Sequence, residues 1–523
     1  MMLSQENMHF NKRVFILISW ILALKLPMWL ARMNADGGVF ASYGIGLIRG
    51  ELPYRDWWDF KLPGVPILNG FGAFLFGQTP TGIRIFELLW IFVSVLVFDR
   101  IVKRIFNALP FSLPTFIFTA LICSWALVRY GNAVTLWEVL PWLLAIHFWL
   151  TIVSSGEKNV WRNRYIAALY FGMSLAWAFV IRPSATVPAV FLITILFFSR
   201  HIQKELGLRK TFSCLALSII GAGVIIGALV LWLSYMGVLS EALKWLRISA
   251  IYLKAGWSSS FRAREGMDIL RNTTLAIVPL FLILFASFFY RSPTDGYTFH
   301  GALTRKILLV LVGLKFAVNM SGGRLYNHYF MELVPELALL AGPLFLTLEK
   351  SFYQKRFYLI DFSQKLGLIG VGMLLVFQLL GSAIYLKRFL TRNTKVEMEL
   401  VEYIQKYTSV ERKYFSWWGY DSVMFHLVDR HQICPLKFNW LLQDISSIDQ
   451  SLSRKLGRIM ADRLAREKPP IVLLTDGEYA LIEMEQYAPE VLYVIQKFYL
   501  PGKHFDTYWV WRRKSFSDSE LSH

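Results

Sequence analysis

The side chains able to do chemistry gather in short segments between long apolar runs. Asp36, followed by Gly37 and Gly38, stands just beyond the first run. A carboxylate there can act as a general base toward a hydroxyl within hydrogen-bond reach. The two glycines leave the backbone open to a close approach by substrate. A helix cap or a solvated loop acid is the plain alternative. Gly50-Glu51-Leu52-Pro53-Tyr54-Arg55-Asp56 comes next, and then Trp57-Trp58-Asp59-Phe60-Lys61-Leu62-Pro63-Gly64. Tryptophans are expected of any membrane-edge belt. Lys61 is more pointed. Its ammonium opens a stiff Pro63-Gly64 turn into a second apolar segment, Val65 to Phe76, where it can neutralise a lipid phosphate.

Three further places carry such residues. Glu138 lies about one turn inside a later apolar run, after Asn132 and Trp137. An acid within a membrane span is a functional candidate by default; the alternative is a lone acid bonded to a neighbouring helix. Arg182-Pro183-Ser184 sits at an outer turn and suits phosphate. Ser321 to Phe330 holds Gly322, Gly323, Arg324, Tyr326, His328 and Tyr329, a mix able to wall a sugar or phosphate pocket, or to form a snorkelling belt. Lys25 and His147 are weaker candidates. Lys25 can snorkel, and His147 reads as packing.

Composition sets the class that must position these groups. Of 523 residues 55% are hydrophobic, 16% are aromatic and only 17% are charged. Mean hydropathy is +0.44. That is a polytopic membrane protein and not a soluble domain. The net charge of +19 would suggest nucleic acid in a soluble chain. Here the cations fall in short loops that set topology, so no nucleic-acid partner is expected. Cys123, Cys214 and Cys434 are far apart and suggest neither a disulfide framework nor a metal site. The first apolar run lacks a small-residue cleavage site and is expected to be a retained helix.

Apolar runs near the length needed to cross about 30 Å of hydrocarbon lie at 14–31, 82–99, 111–128, 133–153, 165–181, 184–199, 211–236, 273–290, 306–320, 329–348 and 366–386. They predict about eleven transmembrane helices, or ten or twelve if the short run at 184–199 is fused or re-entrant. Short loops rich in Lys and Arg alternate with loops carrying about one cation each: Arg129, Arg182 and Arg324. The bias places the N-terminus in the cytoplasm. It puts the 32–81 loop and the C-terminal region outside. The 237–272 segment is also outer, yet it holds Lys244, Arg247, Lys254, Arg262, Arg264 and Arg271. It can meet anionic headgroups or a phosphate-bearing lipid substrate.

From about residue 390 the pattern changes. Thr394 to Tyr407 and Ser451 to Lys468 read as helices. Lys413 to Tyr420, Pro470 to Asp476 and Tyr508 to Trp511 read as strands. The alternation predicts a small soluble α/β domain. The expected domains are therefore 1–390, in the membrane, and 391–523, outside it.

Asp36 beyond helix one, Pro53-Tyr54-Arg55-Asp56, and Asp59-Phe60-Lys61-Leu62-Pro63-Gly64 together resemble the first outer loop of GT-C glycosyltransferases. The branch is that of the protein O-mannosyltransferases and the aminoarabinose transferase of lipid A. Glu138 falls where that family has a second acid. Gly323-Arg324 through His328-Tyr329-Phe330 is similar to its late outer loop. The likeness covers about residues 10–390, and an outer C-terminal domain also fits. One difference is that Asp36 is followed by glycine and not by a second acid. Another is that Phe60 stands where some members have an acid or amide.

The resemblance implies an inverting enzyme that moves a sugar from a polyprenyl-phosphate donor to a lipid, glycan or protein acceptor, on the outer face of the plasma (inner) membrane. It implies Asp36 and Glu138 as catalytic residues. Lys61, Tyr54, Arg55, Asp59, Arg182, Arg324, His328 and Tyr329 would bind substrate. No cofactor is required by these residues, although Asp36, Glu138 and Asp59 are compatible with a divalent cation if they converge. A transporter or flippase of lipid-linked sugars, or a polymerase, is the competing reading. A flippase would be expected to carry broken helices and polar groups near mid-membrane, whereas here the chemistry crowds the outer loops. Topology gives a direct check: cysteine-labelling of positions near 450 is expected to succeed from the external face only. Labelling from the cytoplasmic face would mean one helix miscounted, with 184–199 the first suspect.

Overall fold

The computed structural model describes residues 2–30, 33, 35–128, 131–153, 160–199, 203, 206–257, 274, 277–290, 301–323, 326–354, 361–390, 394–409, 411–417, 430–437 and 440–514. Helices come first in chain order: α1 (Met2–Leu30), α2 (Ala35–Ile48), α3 (Gly64–Phe76), α4 (Pro80–Phe106), α5 (Leu113–Ile122), α6 (Trp125–Val128), α7 (Val134–Val153), α8 (Val160–Ile181), α9 (Thr186–Phe198), α10 (Leu208–Tyr235) and α11 (Leu239–Ala255). Then come α12 (Ile277–Phe289), α13 (Gly301–Ser321), α14 (Val334–Leu340), α15 (Gly342–Tyr353) and α16 (Phe362–Leu390). The C-terminal part holds α17 (Thr394–Tyr407), β1 (Lys413–Trp417), β2 (His431–Gln432), α18 (Trp440–Ile448), α19 (Gln450–Glu467), β3 (Ile471–Thr475), α20 (Gly477–Tyr487), α21 (Pro489–Phe498), β4 (Tyr499–Phe505) and β5 (Tyr508–Arg513). The chain separates into two compact units. One comprises Met1–Ala31, Ile85–Leu231 and Met267–Lys387; the other comprises Arg32–Arg84, Trp232–Gly266 and Arg388–His523.

The first unit is helical, and each of the eleven apolar runs is mostly helix over its described residues; the run at 111–128 is interrupted at Cys123 and Ser124. Among the described residues four helices are long and apolar enough to cross a membrane alone: Val134–Val153, Asn163–Ile181, Leu208–Tyr235 and Phe362–Lys387. A fifth counts if the pair Asn327–Leu340 and Gly342–Tyr353, bent by 56°, is one broken span. The run at 329–348, which reads as continuous in the sequence, is therefore broken. Pro335 and Pro343 stand in the first turns of α14 and α15, where a proline fits because its missing N–H has no helical acceptor. The run at 184–199 becomes α9, only 13 residues long. A 3-10 turn, Pro183–Ala185, breaks it from α8.

Close packing in this unit relies on small residues. A Cβ on Gly172 would collide with the Ser218 carbonyl, and one on Gly221 with the Leu169 carbonyl. The backbones of α8 and α10 therefore touch, as small-residue faces allow. Lys25 does not snorkel as its apolar run suggests. It is buried, with its ammonium 2.6 Å from the Glu87 carboxylate. The other Glu87 oxygen accepts the Asn132 N–H at 2.8 Å, and Asn132 Oδ1 accepts from the Trp137 indole at 2.8 Å. The pair thus ties α1 and α4 to the turn ahead of α7.

The second unit carries a five-stranded sheet of order β2-β1-β3-β5-β4. β1 runs parallel to β2 and β3, and β5 runs antiparallel to β3 and β4. Helix α17 packs Leu400, Val401 and Ile404 against Tyr414, Ile471, Leu473 and Val510. The small α/β domain is thus present. Its first strand ends at Trp417; Tyr420 lies outside the described residues. The 32–81 segment reads as a loop in the sequence, yet it contains α2 and α3. Gly44 lets them approach, since a Cβ there would strike Asn69 and Gly70. α3 matches the apolar segment Val65 to Phe76 that the sequence marks, whereas α2 is short and apolar nearly throughout, so no amphipathic period reveals it.

The Lys25–Glu87 pair yields a stability test. Lys25→Met leaves Glu87 buried without its cation and is expected to cost about 3–5 kcal/mol. Adding Glu87→Gln, which can still accept the Asn132 N–H, is expected to restore much of it. Thermal unfolding in detergent checks this; a double variant no better than the single one would contradict the pairing.

Candidate functional site

In the second unit Asp36 lies in the first turn of α2 and is half-buried. The partial positive charge of a helix N-terminus favours a carboxylate there. The segment after α2 then folds back by two backbone reversals. Gly50 has φ +84° and Tyr54 has φ +64°. A tyrosine holds that conformation only where surroundings fix it. Here its hydroxyl donates to the Lys61 carbonyl at 2.8 Å, and the ring is buried. Tyr43 on α2 braces the same segment in a similar way. Its ring stacks on Trp57 at 4.2 Å, and its hydroxyl donates to the Trp58 carbonyl at 3.0 Å.

Asp59 is the centre of this turn. It is 2% exposed, and its Oδ1 accepts the Lys61 N–H at 3.0 Å. Burial pushes its carboxyl above the ordinary range, and neighbouring Asp36 adds to that; the Lys61 charge and the N–H groups of Lys61 and Phe60 pull it back. The Lys61 ammonium lies 4.8 Å from the Phe40 ring centroid and 4.9 Å from that of Phe60, within cation–π range. Phe60 stacks on Tyr252 of α11 at 4.2 Å, and Trp58 meets Trp245 at 5.2 Å. Arg55, a candidate for substrate, bonds Glu241 at 3.1 Å and the Gly237 carbonyl at 2.5 Å. It fastens the start of α11.

The same segment is held by C-terminal residues. Pro435 O accepts the Trp58 N–H at 2.7 Å. His431 Nδ1 lies 3.2 Å from Glu51, and Arg463 lies 3.5 Å from Asp56. Lys437 Nζ reaches Ser42 Oγ at 3.3 Å and stands 5.1 Å from the Tyr43 ring. Burial alone would raise the Glu51 carboxyl, but Lys437, His431 and Arg49 outweigh it and hold it below the usual range. Burial lowers the Lys437 ammonium, against the pull of Glu51. The sequence does not point to His431, Lys437 or Arg463. They lie hundreds of residues from the loop they hold, and no local spacing marks them.

In the first unit Lys315, Glu336, Arg182, Glu332 and Glu138 form a largely buried cluster apart from the Lys25–Glu87 pair. Lys315 contacts Glu336 at 2.9 Å, donates to the Glu332 carbonyl at 2.8 Å and stands 4.1 Å over the Trp142 ring. The Trp142 indole donates to Glu336 at 2.5 Å. Arg182 pairs with Glu332, donates to Asn319 at 3.1 Å and lies 4.5 Å over the Tyr329 ring. His328 meets Tyr329 edge-on at 4.7 Å. Glu138, 2% exposed, feels Arg182, Lys315 and Glu336, and its Oε2 has no hydrogen-bond partner among the described residues. Three carboxylates thus face two cations. Lys315 in one apolar run, and Glu332 with Glu336 in another, escape sequence reading because their partners lie on other elements.

The structure therefore gathers Asp36, Tyr54, Asp59 and Lys61 in one unit, with Arg55 at its edge. It gathers Glu138, Arg182, His328 and Tyr329 in the other. Arg324 lies outside the described residues. Among the described residues no group of three or more His, Cys, Asp or Glu side chains is arranged to hold a metal ion.

No protein-family model and no curated protein matches the sequence. The fold does find a match. ArnT from Cupriavidus metallidurans, solved bound to undecaprenyl phosphate, aligns with TM-score 0.56 and 11% sequence identity over 95% of this chain and 97% of that one. At that identity the likeness is one of fold. The chain has the GT-C architecture of that aminoarabinose transferase, an α-helical multi-pass membrane part with a small α/β domain after it.

Glu51 offers a test of how the loop is held. Its folded value lies below the ordinary one, so its contribution is complete above the ordinary carboxylate range and fades as pH falls through the lowered value. Glu51→Gln is expected to lower the unfolding temperature at neutral pH, because Lys437 loses its counter-charge. It is also expected to flatten the loss of stability on acidification. Melting curves across pH that coincide with the unmodified protein would contradict this.

Proposed function

We propose that this chain is an inverting glycosyltransferase that takes a sugar from a polyprenyl-phosphate donor at the outer face of the plasma membrane. The observation that carries the reading is the fold shared over nearly the whole chain with an aminoarabinose transferase crystallised on undecaprenyl phosphate. The geometry of the second unit adds chemistry to it. Asp36 is a half-buried carboxylate near Asp59, and Lys61 is a cation on a rigid turn.

In the proposed step the acceptor hydroxyl oxygen attacks the anomeric carbon. Its proton passes to Asp36. The bond from that carbon to the phosphate oxygen breaks, and both electrons leave on the phosphate. The products are the glycoside and a free polyprenyl phosphate. A phosphate needs little acid assistance to leave, only charge stabilisation, and Lys61 supplies it. The step balances without a cofactor. Asp59 and Tyr54 act through Lys61, by fixing the turn that carries it. The proposal places Glu138, Arg182, His328 and Tyr329 in a second polar cluster that orients substrate, with Arg324 as a further phosphate contact. The acceptor is a lipid, glycan or protein hydroxyl.

The test uses purified protein in nanodiscs with a polyprenyl-phosphate sugar, reading release of free polyprenyl phosphate. Asp36→Asn is expected to bind donor normally and to turn over about 10²-fold more slowly or worse. Near-normal turnover in that variant would overturn the assignment of the base.

A further inference from the structure

Helix α11 presents two faces. Ala242, Trp245, Ile248, Tyr252 and Ala255 are buried, and through Trp245 and Tyr252 they carry the loop of Lys61. The opposite face is uncovered. At helical spacing it shows Leu243, Lys244, Arg247, Leu253 and Lys254, with Trp257 just past the end. Leu243, Leu253 and Trp257 are 51%, 51% and 52% exposed. Glu241, the helix's one acid, is turned to Arg55. No acid pairs with Lys244, Arg247 or Lys254 among the described residues.

Chain continuity says where this helix begins. α10 is an apolar helix of 28 residues with only 17% of its most apolar stretch buried, as suits a lipid-facing span. It stops at Tyr235, and α11 begins at Leu239. The short turn between them uses Gly237 at φ +66°, whose carbonyl is fastened by Arg55. α11 thus begins where a membrane span ends. Cations beside leucines and a tryptophan are what an interfacial helix offers an anionic bilayer.

We propose that the outward face of α11 docks on anionic phospholipid headgroups of the leaflet beside it, and that this contact steadies the 52–64 loop through Trp245 and Tyr252. The occupant is the phospholipid surface and not the donor. Each cation near such a surface is worth about a fivefold preference. The proposal needs neither donor nor acceptor, so it stands apart from the outcome at Asp36.

The experiment compares the full chain in nanodiscs of phosphatidylcholine alone and of phosphatidylcholine with an equal part of phosphatidylglycerol. Amide hydrogen exchange is followed over 239–257 and 52–64. Both segments are expected to exchange several-fold more slowly with phosphatidylglycerol, and high salt is expected to remove the difference. The triple variant Lys244→Gln, Arg247→Gln, Lys254→Gln is expected to exchange alike in both bilayers. Lys244→Arg with Lys254→Arg keeps the charge and is expected to retain the effect. Equal exchange of the unmodified protein in both bilayers would overturn the proposal. So would a triple variant that keeps the effect, or slowing seen only when polyprenyl phosphate is added to the phosphatidylcholine discs, which would make the donor the occupant.

Discussion

Asp59 is a carboxylate folded out of water, and that is costly unless its lone pairs are met. The chain meets them with the backbone of the next residues, Phe60 and Lys61. A turn closed on its own acid has little freedom left. Tyr54 then locks the Lys61 carbonyl, and Tyr43 the Trp58 carbonyl. Each side chain of the Trp58–Lys61 stretch is thereby given one direction. Phe60 and Trp58 point to α11, and Lys61 lies along the aromatic rings of Phe40 and Phe60. A flexible lysine loses much rotamer entropy when it must hold a ligand. Here the separate cost of ordering the backbone that carries Lys61 is met on folding.

The second unit braces this turn from two sides. α11 covers its aromatic face. β2 and the residues after it hold Glu51 and the Trp58 N–H, and Arg463 of α19 holds Asp56. The C-terminal domain therefore does structural work for the loop whatever else it does. The first unit manages charge in its own way. Lys25 with Glu87, Lys315 with Glu336 and Arg182 with Glu332 place ions inside this largely apolar unit, each with a counter-ion. Such pairs add little net stability but fix which arrangement is allowed. Glu138 is the acid that this pairing leaves over.

What the sequence discloses follows from what is local. The apolar runs, the Pro63-Gly64 turn and the C-terminal strands are local patterns, and they appear as helix, turn and sheet. The Asp59–Lys61 juxtaposition is legible because two residues of separation suffice for a side chain to cap a backbone N–H. The partners of Glu51, Asp56 and Lys25 are not legible. They come from elements 380, 407 and 62 positions away, and periodicity holds no information at such range. Lys25 illustrates the point. A lone lysine in an apolar run reads as snorkelling until the acid opposite it is known. The bend near Ala341 hides for another reason. Pro335 and Pro343 are visible, but a proline in the first turn and one in the interior look alike until helix ends are placed.

The central claim is that Lys61 meets the donor phosphate because Asp59 holds its turn. Titrating a polyprenyl phosphate into the unmodified protein, Lys61→Ala, Asp59→Asn and the double variant tests it most directly. The account predicts that Lys61→Ala weakens binding by about 1.5–3 kcal/mol, the worth of one charged hydrogen bond. It predicts that Asp59→Asn also weakens binding, and that the double variant is little worse than Lys61→Ala, because both act through one ammonium. Equal affinities for the unmodified protein and Lys61→Ala, or losses that simply add, would contradict it.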